Sequence, residues 1–270
     1  IGTGLSKFTD KHPEKYIDVG IAEEHAVTYA AGLASAGFLP VVCIYSTFMQ
    51  RAFDCIFHDV LLQNLPVIFC MDRAGVVGPD GPTHHGVFDI SMLNVLPNII
   101  ITAPKDGDEL YNLLYTASIL KKPFSIRYPK AISENFDINK EPKLIKEGTW
   151  DYIYKNHSRT IILAVGSMVQ MIVNNNIELE RILGYKVDLV NCRFIKPLDI
   201  VMLKEISNNY NKIITIEEGS LIGGFGSMVN KYLLSSSIKV VSMGIPDHYI
   251  EHGTRKELLD EVCLNAEGII

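Results

Sequence analysis

Val67-Ile68-Phe69-Cys70-Met71, followed at once by Asp72-Arg73-Ala74-Gly75, is the stretch from which the fold is read. Five successive apolar residues leave no polar face, so a strand here is covered on both sides, as in parallel sheets flanked by helices. Further runs of this kind lie at residues 16–19, 40–45, 99–102, 124–128, 160–165, 186–191, 212–216 and 239–243. Helical patterns separate them. The Ala-rich stretch 22–36 stops at Gly37, and Asp106-Gly107-Asp108-Glu109 opens another helix with a cap and early acids. In that second helix Leu110, Leu113, Leu114, Ala117 and Leu120 mark the expected buried face. Strands alternating with helices predict α/β domains of three layers, α/β/α, around mostly parallel sheets with right-handed crossovers.

Residues 130–146 lose the apolar rhythm and gain Asn, Asp, Glu, Lys and Pro, which is linker composition. The expected organisation is a first domain at 1–135, a linker at 136–150 and a second domain at 151–270, each of ordinary size. The 25 Lys+Arg against 31 Asp+Glu give a net charge of −6, which argues against nucleic-acid binding. No apolar run approaches the ~20 residues of a membrane span. Five cysteines are odd in number and scattered, with Cys43, Cys70 and Cys192 inside apolar runs, as expected of reduced thiols in a reducing compartment. Abundant Lys, Ile and Asn suit an AT-rich genome, so a bacterial cytoplasm is expected, with a plastid-type organelle as the alternative. The chain begins Ile1-Gly2-Thr3-Gly4, without an initiator Met, and reads as a piece of a longer protein.

Ligands of α/β sheets bind at the carboxyl ends of strands, so residues just past each run are the candidates. Glu23 stands where the run 16–19 is expected to pass into a helix; it either complements the helix dipole or shares a proton with a ligand. Tyr45, Phe48 and Arg51 follow the second run, an aromatic face beside a guanidinium that suits a flat heterocycle or an anion. Past Met71 come Arg73, Asp80, His84 and His85 within a long loop holding Gly75, Gly78, Pro79, Gly81, Pro82 and Gly86. A shaped loop of this length is usually functional. His84 suits proton transfer or a phosphate contact. With Arg127 at the end of another run, Arg51, Arg73 and Arg127 are expected to converge on a phosphate or carboxylate. No metal site is expected. His84-His85 lacks a third ligand, and His248-Tyr-Ile-Glu251-His252 sits between Pro246 and Gly253 with no room for a helix. Gly223-Gly224-Phe225-Gly226 lacks the spacing of a dinucleotide fingerprint and reads as a turn opening a helix.

These blocks together carry a family resemblance. Asp18-Val-Gly-Ile-Ala-Glu23-Glu-His25, Tyr45-Ser-Thr-Phe-Met-Gln-Arg51, Asp72-Arg-Ala-Gly75 and Gly78-Pro-Asp-Gly-Pro-Thr-His-His-Gly86 resemble the 1-deoxy-D-xylulose-5-phosphate synthases, thiamine-diphosphate enzymes of the transketolase-like superfamily. Arg127-Tyr-Pro, Lys196-Pro-Leu-Asp199, Glu217-Glu218 and Gly244-Ile-Pro-Asp-His-Tyr-Ile-Glu-His-Gly253 continue the match in order. The resemblance implies a pyrimidine-binding domain followed by a transketolase C-terminal-type domain. It implies condensation of pyruvate with glyceraldehyde 3-phosphate and loss of carbon dioxide, a step feeding isoprenoid, thiamine and pyridoxal synthesis. Within it Glu23 and His84 match catalytic positions, Glu23 at the pyrimidine N1′ of the cofactor and Phe48 stacked on that ring. Arg73 and Arg127 match residues that hold the acceptor phosphate, and Tyr45, Arg51, Asp80 and His84 line the substrate pocket. His85 and Glu24 match no such role. A homodimer is also implied. Such enzymes carry a further amino-terminal domain that binds the diphosphate and Mg²⁺ through a Gly-Asp-Gly…Asn segment, which this sequence lacks, so the chain alone is expected to be inactive. One alternative is a β-type subunit of a split transketolase or 2-oxo acid dehydrogenase. Another is a non-catalytic assembly module, which gives no reason to keep these residues together.

Overall fold

The computed structural model describes residues 2–133 and 135–269; Ile1, Glu134 in the segment read as linker, and Ile270 lie outside the described residues. Among the described residues, strands run in the order β1 (Val41–Tyr45), β2 (Ile68–Asp72), β3 (Ile100–Thr102), β4 (Phe124–Arg127) and β5 (Asp151–Tyr154). They continue as β6 (Thr160–Ala164), β7 (Asp188–Asn191), β8 (Phe194–Lys196), β9 (Lys212–Ser220) and β10 (Lys239–Ile245). One sheet has the order β1-β2-β4-β3-β8 and the other β10-β9-β6-β7-β5. Every ladder is parallel except β3 with β8 and β5 with β7. Ile68, Phe69, Cys70 and Met71 of β2 are all buried, as a strand covered on both faces requires. The expected α/β class with mostly parallel sheets therefore holds. No helix among the described residues is long and apolar enough to cross a membrane.

Two short strands escape sequence reading. β5 is an edge strand whose residues are exposed or half-buried, and β8 is three residues long and closed by Pro197. β8 follows the linker-like segment in the chain yet completes the first sheet, with Thr102 opposite Phe194 and Ile101 opposite Lys196. Trp150 reinforces this crossing by donating from Nε1 to the Phe194 carbonyl at 2.7 Å.

One expected strand is absent. Residues 16–19 join no strand, with Ile17 55% exposed, and Asp18 Oδ1 accepts the Gly20 N–H at 2.8 Å. A side chain that closes its own turn competes with ladder formation. Glu23 therefore begins the helix Glu23–Ser35 after an irregular approach rather than after a strand. In the helix Gly107–Leu120, Asp106 caps the Glu109 N–H as expected, while Leu114 is exposed, not buried. The buried face there is Glu109, Leu113, Thr116 and Ala117. The glycines at 223 and 224 do open a helix, Phe225–Tyr232.

Candidate active site

The loop between β2 and the helix Asp89–Asn94 is tied at its neck. Gly75 and Gly86 exchange two backbone hydrogen bonds, of 2.8 and 2.9 Å. Both positions need glycine for space: a β-carbon on Gly75 would overlap the Glu218 carboxylate, and one on Gly86 would overlap the Arg73 carbonyl. Gly75 also has φ of +81°, open to glycine at little cost. Arg73 itself takes φ of +60°, an uncommon value for a residue with a side chain and one that recurs at ligand sites. That turn sends its guanidinium back over the end of β1.

There the side chains form a continuous chain of contacts. The Arg73 guanidinium lies 3.9 Å from the Tyr45 ring centroid, Tyr45 stacks on Phe48 at 5.5 Å, and Arg51 lies 4.7 Å from the other aromatic centroid, that of Phe48. His84 meets Phe48 edge-on at 5.3 Å, and its Nδ1 lies 2.9 Å from Thr83 Oγ1. Arg51 Nη1 donates to Glu23 Oε1 at 2.7 Å, and Glu23 is buried at the start of its helix. Asp80 accepts from Arg73 Nη1 at 3.0 Å and from Lys130 Nζ at 2.8 Å. The Lys130 ammonium, with Arg73 and His84 nearby, holds the Asp80 carboxyl below the usual carboxylate range. Burial pushes Asp72 the other way. Glu23, Tyr45, Phe48, Arg51, Arg73, Asp80 and His84 thus stand together.

Arg127 does not join them. It is 5% exposed, its Nε donates to Asp89 Oδ2 at 2.8 Å, and its Nη2 donates to the Glu218 carbonyl at 2.9 Å. Of the three arginines expected to converge, Arg51 and Arg73 lie on the aromatic chain, while Arg127 is paired with Asp89 beneath it. The cation that does reach the open side is Lys130, three residues on and exposed. His85, which the sequence left without a role, clips the loop from within. Its Nδ1 accepts the Val77 N–H at 3.1 Å, which fixes Nε2 as the donor to the Glu251 carbonyl at 3.2 Å. A cleft of about 780 Å³ lies elsewhere, between Lys105, Glu109, Lys140 and Arg193. Its charges are paired within the cleft, Lys105 with Asp106, Lys140 with Asp108 and Arg193 with Glu109.

Residues 1–134 match the family described as transketolase, pyrimidine binding domain, and residues 148–269 match transketolase, C-terminal domain. The chain belongs to the transketolase family. Curated relatives named 1-deoxy-D-xylulose-5-phosphate synthase include those of Aquifex aeolicus, 46% identical over 99% of this chain, and Dictyoglomus thermophilum, 48% identical over 99%. This chain covers 42% and 43% of those relatives, so it spans about two fifths of their length. A solved split-gene transketolase, described as an inactive β4 tetramer, superposes with a TM-score of 0.87 at 27% identity, covering 99% of this chain and 86% of that one. The Campylobacter jejuni transketolase shares the fold, with a TM-score of 0.74 at 20% identity over 94% of this chain and 38% of its own.

In this transketolase-family chain, the second domain reaches the site through one carboxylate that the sequence did not mark for a role. Glu218, near the end of β9, is 2% exposed. Its Oε2 accepts the Val76 N–H at 3.0 Å and its Oε1 accepts from Ser167 Oγ at 2.7 Å and from Arg255 Nη2. Glu251 and the backbone around Gly253 and Arg255 press on the same loop. The pairing of Glu217 with Glu218 inside an apolar strand was the available signal, since buried acids need partners.

Proposed function

We propose that this chain supplies the pyrimidine-holding and acceptor-holding half of a 1-deoxy-D-xylulose-5-phosphate synthase, which joins pyruvate to glyceraldehyde 3-phosphate with loss of carbon dioxide. The Arg51 guanidinium carries the reading. It is a flat N–H donor lying on the Phe48 ring and bonded to the buried Glu23 carboxylate. A protonated aminopyrimidine asks for the same two partners, an aromatic face and one carboxylate, so the residues fit the cofactor. Bound thiamine diphosphate would supply the electron sink for decarboxylation. Glu23 holds the proton on the pyrimidine N1′, where burial strengthens the interaction. Phe48 aligns the ring, and Arg51, once released from Glu23, is a donor for the pyruvate carboxylate. Arg73 and Lys130, fixed side by side through Asp80, anchor the acceptor phosphate. His84, against the Phe48 edge, exchanges a proton with the acceptor oxygen. Arg127 acts beneath, as the core ion pair of the site.

The identity of 42–48% to synthases supports this over the split-transketolase β-chain reading, which the 86% coverage of the split-gene chain favours. In both readings the diphosphate and Mg²⁺ are held by residues outside this chain. Exposed Ile17 and Ile21 beside Glu23 support a second copy as partner, and the bacterial relatives support a bacterial cytoplasm as the setting. Purified chain given pyruvate, glyceraldehyde 3-phosphate, Mg²⁺ and thiamine diphosphate should make no product; robust product would reject the division of the site. In the full-length protein, Glu23→Gln should cut turnover by orders of magnitude. Unchanged turnover would reject Glu23 as the proton-sharing group.

A further inference from the structure

Cys43 on β1 and Cys70 on β2 are partners in the parallel ladder, directly opposite each other. Side chains at paired positions of a parallel ladder leave the same face of the sheet, and neighbouring strands lie about 4.8 Å apart. That separation falls inside the ~4.4–6.8 Å between α-carbons that a disulfide spans. Both cysteines are reduced here, Cys70 buried and Cys43 half-buried on a strand at the sheet's edge. The Cys70 thiol, as hydrogen-bond donor, holds Cys43 below the ordinary thiol range, while Cys43 pushes Cys70 well above it. Cys43 is the more accessible sulfur, as the attacking thiol must be, and Cys70, directly opposite, is placed to resolve it.

We propose that Cys43 and Cys70 form a reversible oxidation site, a dithiol that a peroxide converts to a disulfide across β1 and β2. The Cys43 thiolate attacks a peroxide oxygen, the O–O bond breaks, and the departing hydroxide takes a proton to leave as water. The Cys70 sulfur then attacks the Cys43 sulfenic acid, the S–O bond breaks, and a second water leaves with the Cys70 proton. Two thiols and one hydrogen peroxide give one disulfide and two waters, the sulfurs losing the two electrons that the peroxide gains. A small dithiol returns those electrons by exchange. Closure must draw the β-carbons from about the strand spacing to about 3.8 Å, so the bond is strained and readily reduced. The next pair along the same face is Tyr45 opposite Asp72, and Tyr45 carries the Arg73 guanidinium on its ring. The crosslink therefore sits one side-chain layer below the aromatic-cationic chain of the site.

The test uses this 270-residue chain as it stands. Treatment with a small excess of hydrogen peroxide should lower the intact mass by about 2 Da and the free thiols by two of the five, and dithiothreitol should restore both. Cleavage at Arg51 separates the two cysteines, and a Cys55→Ser background removes the other thiol on the Cys70 peptide, so the linked pair is read without ambiguity. Cys43→Ser and Cys70→Ser should each abolish the mass loss, while Cys263→Ser should leave it. If either variant fails to fold, phenylarsine oxide added to the wild-type chain replaces it as the reading. A bridging arsenical should consume two thiols per chain and block the peroxide reaction. A sulfinic acid at Cys43 with Cys70 still free, or unchanged thiols with neither reagent reacting, would overturn the proposal.

Discussion

Arg127 and Asp89 form an ion pair inside the protein, Nε to Oδ2 at 2.8 Å, with side chains 5% and 0% exposed. Asp89 starts the helix after the loop and Arg127 ends β4, so the pair joins the loop's exit to the sheet. Removing one partner of a buried pair strands a charge and costs about 3–5 kcal/mol. Arg127→Met and Asp89→Asn should each lower the urea midpoint by that scale of energy, and the double variant by less than their sum. Lys130→Met, which breaks an exposed contact, should change stability by less than about 1 kcal/mol. Equal losses for Arg127 and Lys130 would refute the separation of structural from site cations.

Asp80 is shared by Arg73 and Lys130, which keeps two cations about one acid. Asp80→Asn leaves that anchor with a full extra positive charge. Inorganic phosphate should then bind about fivefold more tightly, the value of roughly 1 kcal/mol, and with steeper dependence on salt. Lys130→Met should weaken it by a similar factor. Titration calorimetry at low ionic strength reads both; an Asp80→Asn variant with weaker binding would mean that Asp80 positions the cations rather than masking them.

Much of this was open to reading because parallel strands are uniformly apolar and the loop is written in glycine and proline. β2 and its exit were legible for that reason, and so were Tyr45, Phe48, Arg51 and Arg73, which follow strand ends. What failed was orientation. Arg127 and Lys130 are both cations near the end of β4, and only the fold decides that one points inward to Asp89 and the other outward to Asp80. Residues 16–19 were misread because extended composition does not supply a neighbouring strand. Glu218 was not given a role because its partners, Val76, Ser167 and Arg255, are all more than thirty residues distant in the chain.

Glu218 holds the loop from the second domain, and its loss should be felt at the loop first. A hydrogen bond to a charged group contributes about 1.5–3 kcal/mol, so Glu218→Ala should speed local exchange at Val76 and Val77 by about tenfold or more. Hydrogen exchange followed by mass spectrometry on the chain resolves this segment. Glu178→Ala, which breaks an exposed pair with Arg181 within the helix Asn176–Leu183, should leave it unchanged. Loop exchange equal in the two variants would remove Glu218 as the clamp.

Glu217, the neighbour of Glu218, should set a pH dependence of stability. Its carboxylate is buried in β9 and accepts the Phe225 and Gly226 N–H groups, each at 2.8 Å. Burial raises its pKa to about 7, against the pull of those two amides and of Arg127. An unfolded glutamate titrates near ~4.3. Between the two values the folded protein binds a proton that the unfolded chain has released, so this group's stabilisation is complete at low pH, declines as pH rises towards about 7, and is lost above it. Glu217→Gln removes the titration and turns an amide nitrogen toward a backbone N–H, which costs about 1–3 kcal/mol. The variant should therefore be less stable than the parent at pH 5, with the gap narrowing by pH 8. Urea unfolding at several pH values measures that gap, and a gap that stays constant would mean that Glu217 remains ionised in the folded protein throughout.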